Sequence, residues 1–164
     1  MPLTPFHLGV GLAVGMLLFR YINLPAILLA SVIVDAEPIY CYFIGNCQLH
    51  GFSHTVIGGT LFAIAVIVII FTLRTHLIKI SKIFIAEQNY SLKSIAFASF
   101  VGVYAHLLLD SFMHSDMNPF WPIMGNPLLG VISNSLIIGL CMFGFAAGCV
   151  IYVAKIIRDW KFGK

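Results

Sequence analysis

His106, Asp110 and His114 recur at intervals of four residues, so on a helix they would share one face. Ser99 and Gly102 continue that stripe inward. His50 and His54 repeat the spacing of four, with His50 placed before the start of its helix, and His7, Asp35 and Glu37 add three more candidates from two earlier segments. Neutral imidazole nitrogens and carboxylate oxygens are good zinc ligands, and a catalytic site needs about three of them plus an open position for water. A metal held that way brings the pKa of its water to about 7. Carboxylates beyond those needed can orient the histidines or act as general base. Each residue alone has an ordinary explanation: a histidine near a membrane end packs or anchors, and an acidic residue beside Pro38 belongs to a loop. The set is different, because Asp and His inside a membrane are rare without a functional partner.

The elements that must position these groups are apolar. Hydrophobic residues make up 60% of the 164-residue chain and charged residues 9%, against about 25% charged in a typical soluble domain. So few charges cannot wet the surface of such a core, and lipid is the natural solvent for its outer face. A single transmembrane domain over 1–164 is expected, an all-α bundle of four or five helices with a polar His/Asp pocket at one end. The helices are expected at about 5–19, 24–35, 54–73, 92–113 and 129–154, with an amphipathic interfacial segment over 75–90. Thr4, Ser53 and Ser91 are candidate N-caps, and Pro5 suits a first turn. Segment 36–52, with Pro38, Gly45 and Asn46, reads as a loop, as does 114–128 with its three prolines. The apolar N-terminus lacks a charged leader region and a small-residue cleavage site, so it is expected to be a retained helix. Gly11 and Gly15 have a helix-approach spacing, but glycine is common in membrane helices and that simpler explanation is preferred. Cys141 and Cys149 are packing residues, whereas Cys41 and Cys47 are either free thiols or a disulfide.

Charge sets orientation. Arg74, Lys79, Lys82 and Lys93 lie in one connection, Lys155, Arg158, Lys161 and Lys164 in the C-terminal tail, and Arg20 at the first turn. Five alternating segments put all three places on one side, which the positive-inside rule makes cytoplasmic. The eight ligand candidates then gather at the outward end, and only His76 is left on the cytoplasmic side, as a solvated residue. Tyr40 and Trp121 are expected to anchor at the interface and Asp116 to be a loop residue or cap. The net charge of +3 comes from these few basic residues and forms no stripe, which excludes nucleic acid as a partner.

The strings TPFHLG at 4–9, VDAEP at 34–38, HGFSHTVIGG at 50–59 and AHLLLDSFMHSD at 105–116, followed by Trp121-Pro122, resemble the family of membrane-bound metal-dependent hydrolases that includes the YdjM-type inner-membrane proteins. That family's early His, acidic pair, H-x3-H-[ST] and H-x3-D motifs carry over as His7, Asp35 with Glu37, His50 with His54-Thr55, and His106 with Asp110. The chain departs from the family where many relatives have D-x-D-H and it has Asp35-Ala36-Glu37-Pro38. It departs again at Gly51, where many have Arg, and at Met113, where Thr is frequent. The resemblance implies a metal-dependent hydrolase. The H-x3-D spacing is similar, more distantly, to zinc-dependent phospholipase C proteins, which implies phosphoester substrates.

The leading expectation is therefore a hydrolase of the inner membrane, its site facing outward and its C-terminus cytoplasmic, acting on a membrane-presented ester. His7, Asp35, His50, His54, His106, Asp110 and His114 are the metal candidates, Asp35 and Glu37 the catalytic carboxylates, and zinc the first metal, with manganese or iron as alternatives. Two other readings compete. A metal-ion or proton transporter would need a polar route across the bilayer, and the cytoplasmic halves of the segments are almost purely apolar. A structural or assembly protein with a metal staple would need four ligands in a closed site, fewer than the eight present.

Overall fold

The computed structural model describes residues 5–45, 48–88 and 90–162. The N-cap expected at Thr4 and the pairing of Cys41 with Cys47 therefore lie outside the described residues. Six helices run in chain order: α1 (Pro5–Leu17), α2 (Leu24–Ala30), α3 (Ala36–Ile44), α4 (Val56–Ile83), α5 (Leu92–Met113) and α6 (Asn134–Lys161). No strand is present among the described residues. Four stretches are long and apolar enough to cross a membrane: Leu24–Ile44, Val56–Ile83, Leu92–Met113 and Asn134–Lys161. At 13 residues, α1 is only about 20 Å long.

Close contacts give the directions. Gly9 lies against Cys141 and Phe145, and Gly148 lies against Leu12 and Ala13, so α1 and α6 run parallel. Gly11 meets Ser31 and Gly15 meets Leu24, which makes α2 antiparallel to α1. A Cβ at Gly9 would sit 2.1 Å from the Cys141 carbonyl oxygen, and one at Gly11 would sit 2.3 Å from Ser31 Oγ. These glycines are contact points between helix backbones, where composition alone suggested nothing specific.

The Leu24–Ile44 span is broken in the middle, and the break positions the site. Instead of one helix over 24–35 followed by a loop, α2 stops at Ala30, a 3-10 turn occupies Ile33–Asp35, and α3 continues to Ile44. Ser31 Oγ bonds back to the Ile27 carbonyl at 2.7 Å, a habit that bends helices. The Asp35 amide then bonds Val32 O at 3.1 Å in place of Ser31 O. Pro38 falls in the first turn of α3, where its missing N–H is tolerated, so it does not end the helix. It does leave the Val34 carbonyl without its α-helical donor. Two main-chain carbonyls are thus released in the membrane, and both are used below.

Three other boundaries differ from expectation. The 75–90 segment is not a separate interfacial helix: no Gly or Pro interrupts the chain there, and α4 runs on to Ile83. Its 28 residues reach about 42 Å, so the last turns, with exposed Lys79 and Lys82, leave the roughly 30 Å hydrocarbon layer. Thr55, not Ser53, caps α4, accepting the Gly58 amide at 2.9 Å. The final helix starts at Asn134 under a Ser133 cap, after a turn in which Gly125 and Gly130 take φ of +104° and +74°. It extends past Ala154 because Lys155 pairs with Asp159 at 2.7 Å one turn later. Ser91 caps α5 as expected.

Candidate metal centre

The H-x3-D-x3-H stripe of α5 is the base of the site. His106 and Asp110 face the α2–α3 break, and His114 caps the helix end. Gly102, one turn earlier, permits this approach: a Cβ there would lie 2.6 Å from Ala30 Cβ and 2.8 Å from the Ile27 carbonyl oxygen. At that separation His106 Nδ1–H donates to the released Ser31 carbonyl at 2.7 Å. Gly102→Val should push α2 off α5, costing about 1–3 kcal/mol by overpacking. Thermal unfolding in detergent checks that loss. Metal titration should show a roughly 10–100-fold drop in affinity, since an orienting hydrogen bond goes too.

His54 enters from the turn before α4. Ser53 Oγ donates to Glu37 Oε2 or to the other released carbonyl, Val34 O, at 3.0 Å. Its oxygen therefore accepts from His54 Nδ1–H at 2.9 Å. His50 Nδ1–H donates to Asp116 at 2.9 and 3.0 Å. In all three histidines Nδ1 holds the proton, so Nε2 carries the free lone pair, the arrangement in which metal-binding histidines are held by an outer partner.

These nitrogens converge on carboxylate. Asp110 Oδ2 lies 3.0 Å from His106 Nε2 and 3.5 Å from His54 Nε2. Its Oδ1 lies 3.2 Å from His7 Nε2 and 3.8 Å from His114 Nε2. Asp35 Oδ1 is 3.4 Å from His106 Nε2 and 3.6 Å from His54 Nε2. The His7 ring stacks on His106 and the His50 ring on His114, each pair with centroids 3.9 Å apart. The groups are deeply buried: His54, His106, Asp110 and His7 are 0%, 1%, 2% and 3% exposed.

The donor set fits a divalent cation. His54 Nε2, His106 Nε2 and Asp110 Oδ1 are buried without a hydrogen-bond partner. Buried polar atoms are normally satisfied; the nearest partners of these three are one another and the adjoining carboxylate and imidazoles, at 3.0–3.6 Å, a set that one bound cation would satisfy together. One ligand atom each from Asp35, His54, His106 and Asp110 lies within 4.8 Å of the others. A second group, His50, Asp110 and His114, meets the same limit. Burial and then the neighbouring His50 push His114 below its ordinary pKa, which keeps it neutral.

The sequence profile of the YdjM inner membrane protein family matches residues 1–161. The chain belongs to that family. Membership in an inner-membrane family agrees with the four apolar spans. No curated protein and no solved structure gives a significant match. For this member of the YdjM family, the structure gathers His7, Asp35, His50, His54, His106, Asp110 and His114 at one end of the bundle.

Glu37 is not brought into the ligand group. Its two oxygens accept from the Phe52 amide at 3.1 Å, the Ser53 amide at 2.8 Å and Ser53 Oγ, and it stands 3.9 Å from His54 Nδ1. It fixes the Phe52–His54 turn. Gly51 leaves the room: a Cβ there would fall 2.6 Å from Glu37 Oε1. Sequence reasoning missed Asp116 as the partner of His50. Its one signal was an acidic residue two places beyond His114 on the same loop. Trp121, expected to anchor only, lines a cavity of about 220 Å³ with His50, Gly51, Phe52 and Asn118. His76 is exposed and apart from the cluster, while Cys141 is buried and free.

Proposed function

We propose that this chain is a membrane-bound metal-dependent hydrolase acting at the outer membrane face on a membrane-presented ester, a phosphoester lipid first among them. The observation that carries the reading is the convergence of ligand atoms from Asp35, His54, His106 and Asp110 within 4.8 Å of one another, next to a second group whose His50 lines a cavity. His54, His106 and Asp110 would hold a divalent cation, with Asp35 beside it, and the cation would supply Lewis acidity and bring the pKa of a bound water to about 7. Zinc suits the nitrogen and oxygen donors best, and manganese or iron suits them as well.

The chain's own residues do the rest. The Ser31 carbonyl and Ser53 hold His106 and His54 with Nε2 inward. Asp35, 7% exposed and supplied by a different helix from Asp110, takes the proton of the attacking water. Glu37, with both oxygens engaged on the Phe52–His54 turn, acts as a positioning residue. The ester reaches the site through the cavity between Phe52 and Trp121, whose rings meet edge to face at 6.1 Å. Next to it, Ile123 and Met124 are 73% and 74% exposed, an apolar lip that suits a substrate held in the bilayer.

Charge supports an outward-facing site. Arg20, Lys155 and Arg158 border one crevice at the opposite end of α1 and α6, which favours a cytoplasmic placement of that end and of the C-terminus under the positive-inside rule. Between the two ends the buried hydrophobic cluster includes Ile27, Ala63, Val66, Ile95, Ala98 and Val103. An apolar cluster at this depth favours hydrolysis over transport.

Purified protein loaded with zinc or manganese and presented with phospholipid vesicles and chromogenic phosphomonoesters and phosphodiesters should release product. EDTA should abolish the release and metal should restore it. Loaded wild type that cleaves no phosphoester or carboxylic ester faster than Asp110→Asn would overturn the reading.

A further inference from the structure

We infer that the centre is dinuclear, with Asp110 bridging two metal ions through its two oxygens. This rests on the metal-site reading above but not on hydrolysis. The observation is the division of the histidines around one carboxylate. Asp110 Oδ2 faces His106 and His54, which also face Asp35. Asp110 Oδ1, an orphaned buried atom, faces His7 and His114. His50 joins the Oδ1 side, since it groups with Asp110 and His114 and stacks on the His114 ring.

Each side is complete enough to hold an ion. The Oδ2 side offers two imidazoles and two carboxylates. The Oδ1 side offers His50 and His114 with the shared carboxylate, and His7, whose ring stacks on His106, reaches the same oxygen at 3.2 Å. A single ion cannot use both sets: a carboxylate bound through both oxygens to one ion takes the histidines of one side and leaves those of the other unserved. The second set is also built for binding. His50 has its own carboxylate partner, Asp116, which leaves Nε2 as its available nitrogen. A packing histidine at a loop needs no such partner. Paired ions in hydrolases clamp the attacking and leaving oxygens of an in-line displacement between them, so a second ion would suit a phosphoester substrate.

The test is metal counting with manganese(II), read by elemental analysis and electron paramagnetic resonance on the full chain in detergent. Wild type should hold two manganese ions per chain and give an exchange-coupled multiline spectrum. His114→Ala, half-buried at the end of α5, and Asp116→Asn, on the loop, should each lower the count towards one and give the spectrum of an isolated ion. His106→Ala should empty the Oδ2 side instead. Circular dichroism confirms that each variant keeps its helices. One manganese per chain in wild type, unchanged by His114→Ala and Asp116→Asn, would overturn the inference and leave a mononuclear hydrolase standing. Two coupled ions in a protein that cleaves no ester would support the dinuclear centre and remove the hydrolase reading instead.

Discussion

Asp110→Asn is expected to abolish metal binding while leaving the helices intact. The substitution keeps the shape of the side chain. It replaces a charged, acceptor-only group that stands within 3.0–3.8 Å of four histidine nitrogens. No other carboxylate among the described residues reaches both groups of histidines. Loss of an orienting partner alone costs about 10–100-fold in metal affinity, and loss of this shared ligand should exceed that range. Equilibrium titration with zinc against a competing chelator measures the affinity, and circular dichroism checks the fold. A variant that binds zinc within tenfold of wild type would mean that Asp110 is a packing carboxylate.

Metal affinity should rise steeply with pH. His54 lies just outside the α4 span. Burial disfavours its charged form, but the Asp110 and Asp35 carboxylates outweigh burial and lift its pKa above the ordinary value of 6.5. The other titratable groups facing it are His106, His50 and Glu37. A raised pKa means that metal-free His54 holds its second proton to higher pH than an ordinary histidine, and this proton must leave before Nε2 can bind. Below the folded-state pKa, affinity should climb about tenfold per pH unit for each proton released. The stability of the metal-free protein should run the other way. A histidine with a raised folded pKa stabilises fully below 6.5 and loses that contribution as pH rises through the folded value. Zinc titrations from pH 5.5 to 8.5, with thermal unfolding of the metal-free protein over the same range, should give opposite slopes. A flat affinity profile would show that the histidines are unprotonated before metal arrives.

The part of the site that local spacing determines was legible in the sequence. His106, Asp110 and His114 are four apart within an apolar run that Ser91 caps, and α5 carries them on one face. The alternation of segments put His7, Asp35, His50 and His54 at the same end, and the family resemblance gave them in the same order. What the sequence hid depends on backbone groups and distant partners. The run Ile27–Val34 is apolar apart from Ser31, so periodicity could not reveal a break there, and Pro38 looked like a loop signal although it stands in a first helical turn. The acceptors that fix the histidine tautomers are the Ser31 carbonyl, Ser53 and Asp116. Two of them lie 75 and 66 residues from the imidazole they serve, beyond any spacing rule. The overlong α4 was readable: between Leu73 and Ile83 there is neither Gly nor Pro, and basic side chains at a helix end reach out to the headgroups without ending the helix.

The broken span ties these observations together. A continuous helix over Leu24–Ile44 would bond its own carbonyls, leave His106 without its acceptor inside the membrane and leave Ser53 only Glu37. The 3-10 turn at Ile33–Asp35 gives up helical bonds, and the site recovers them by orienting two histidines. Irregular backbone at membrane depth is tolerated where protein buries it in this way.

The most direct test of the central claim is X-ray absorption at the metal edges of wild-type protein purified in detergent without chelator. The account predicts a zinc, manganese or iron edge, a first shell of nitrogen and oxygen only, and the outer-shell scattering of several imidazoles. A well-folded protein that shows no edge after incubation with these metals, or one whose ion is held by sulfur, would contradict it.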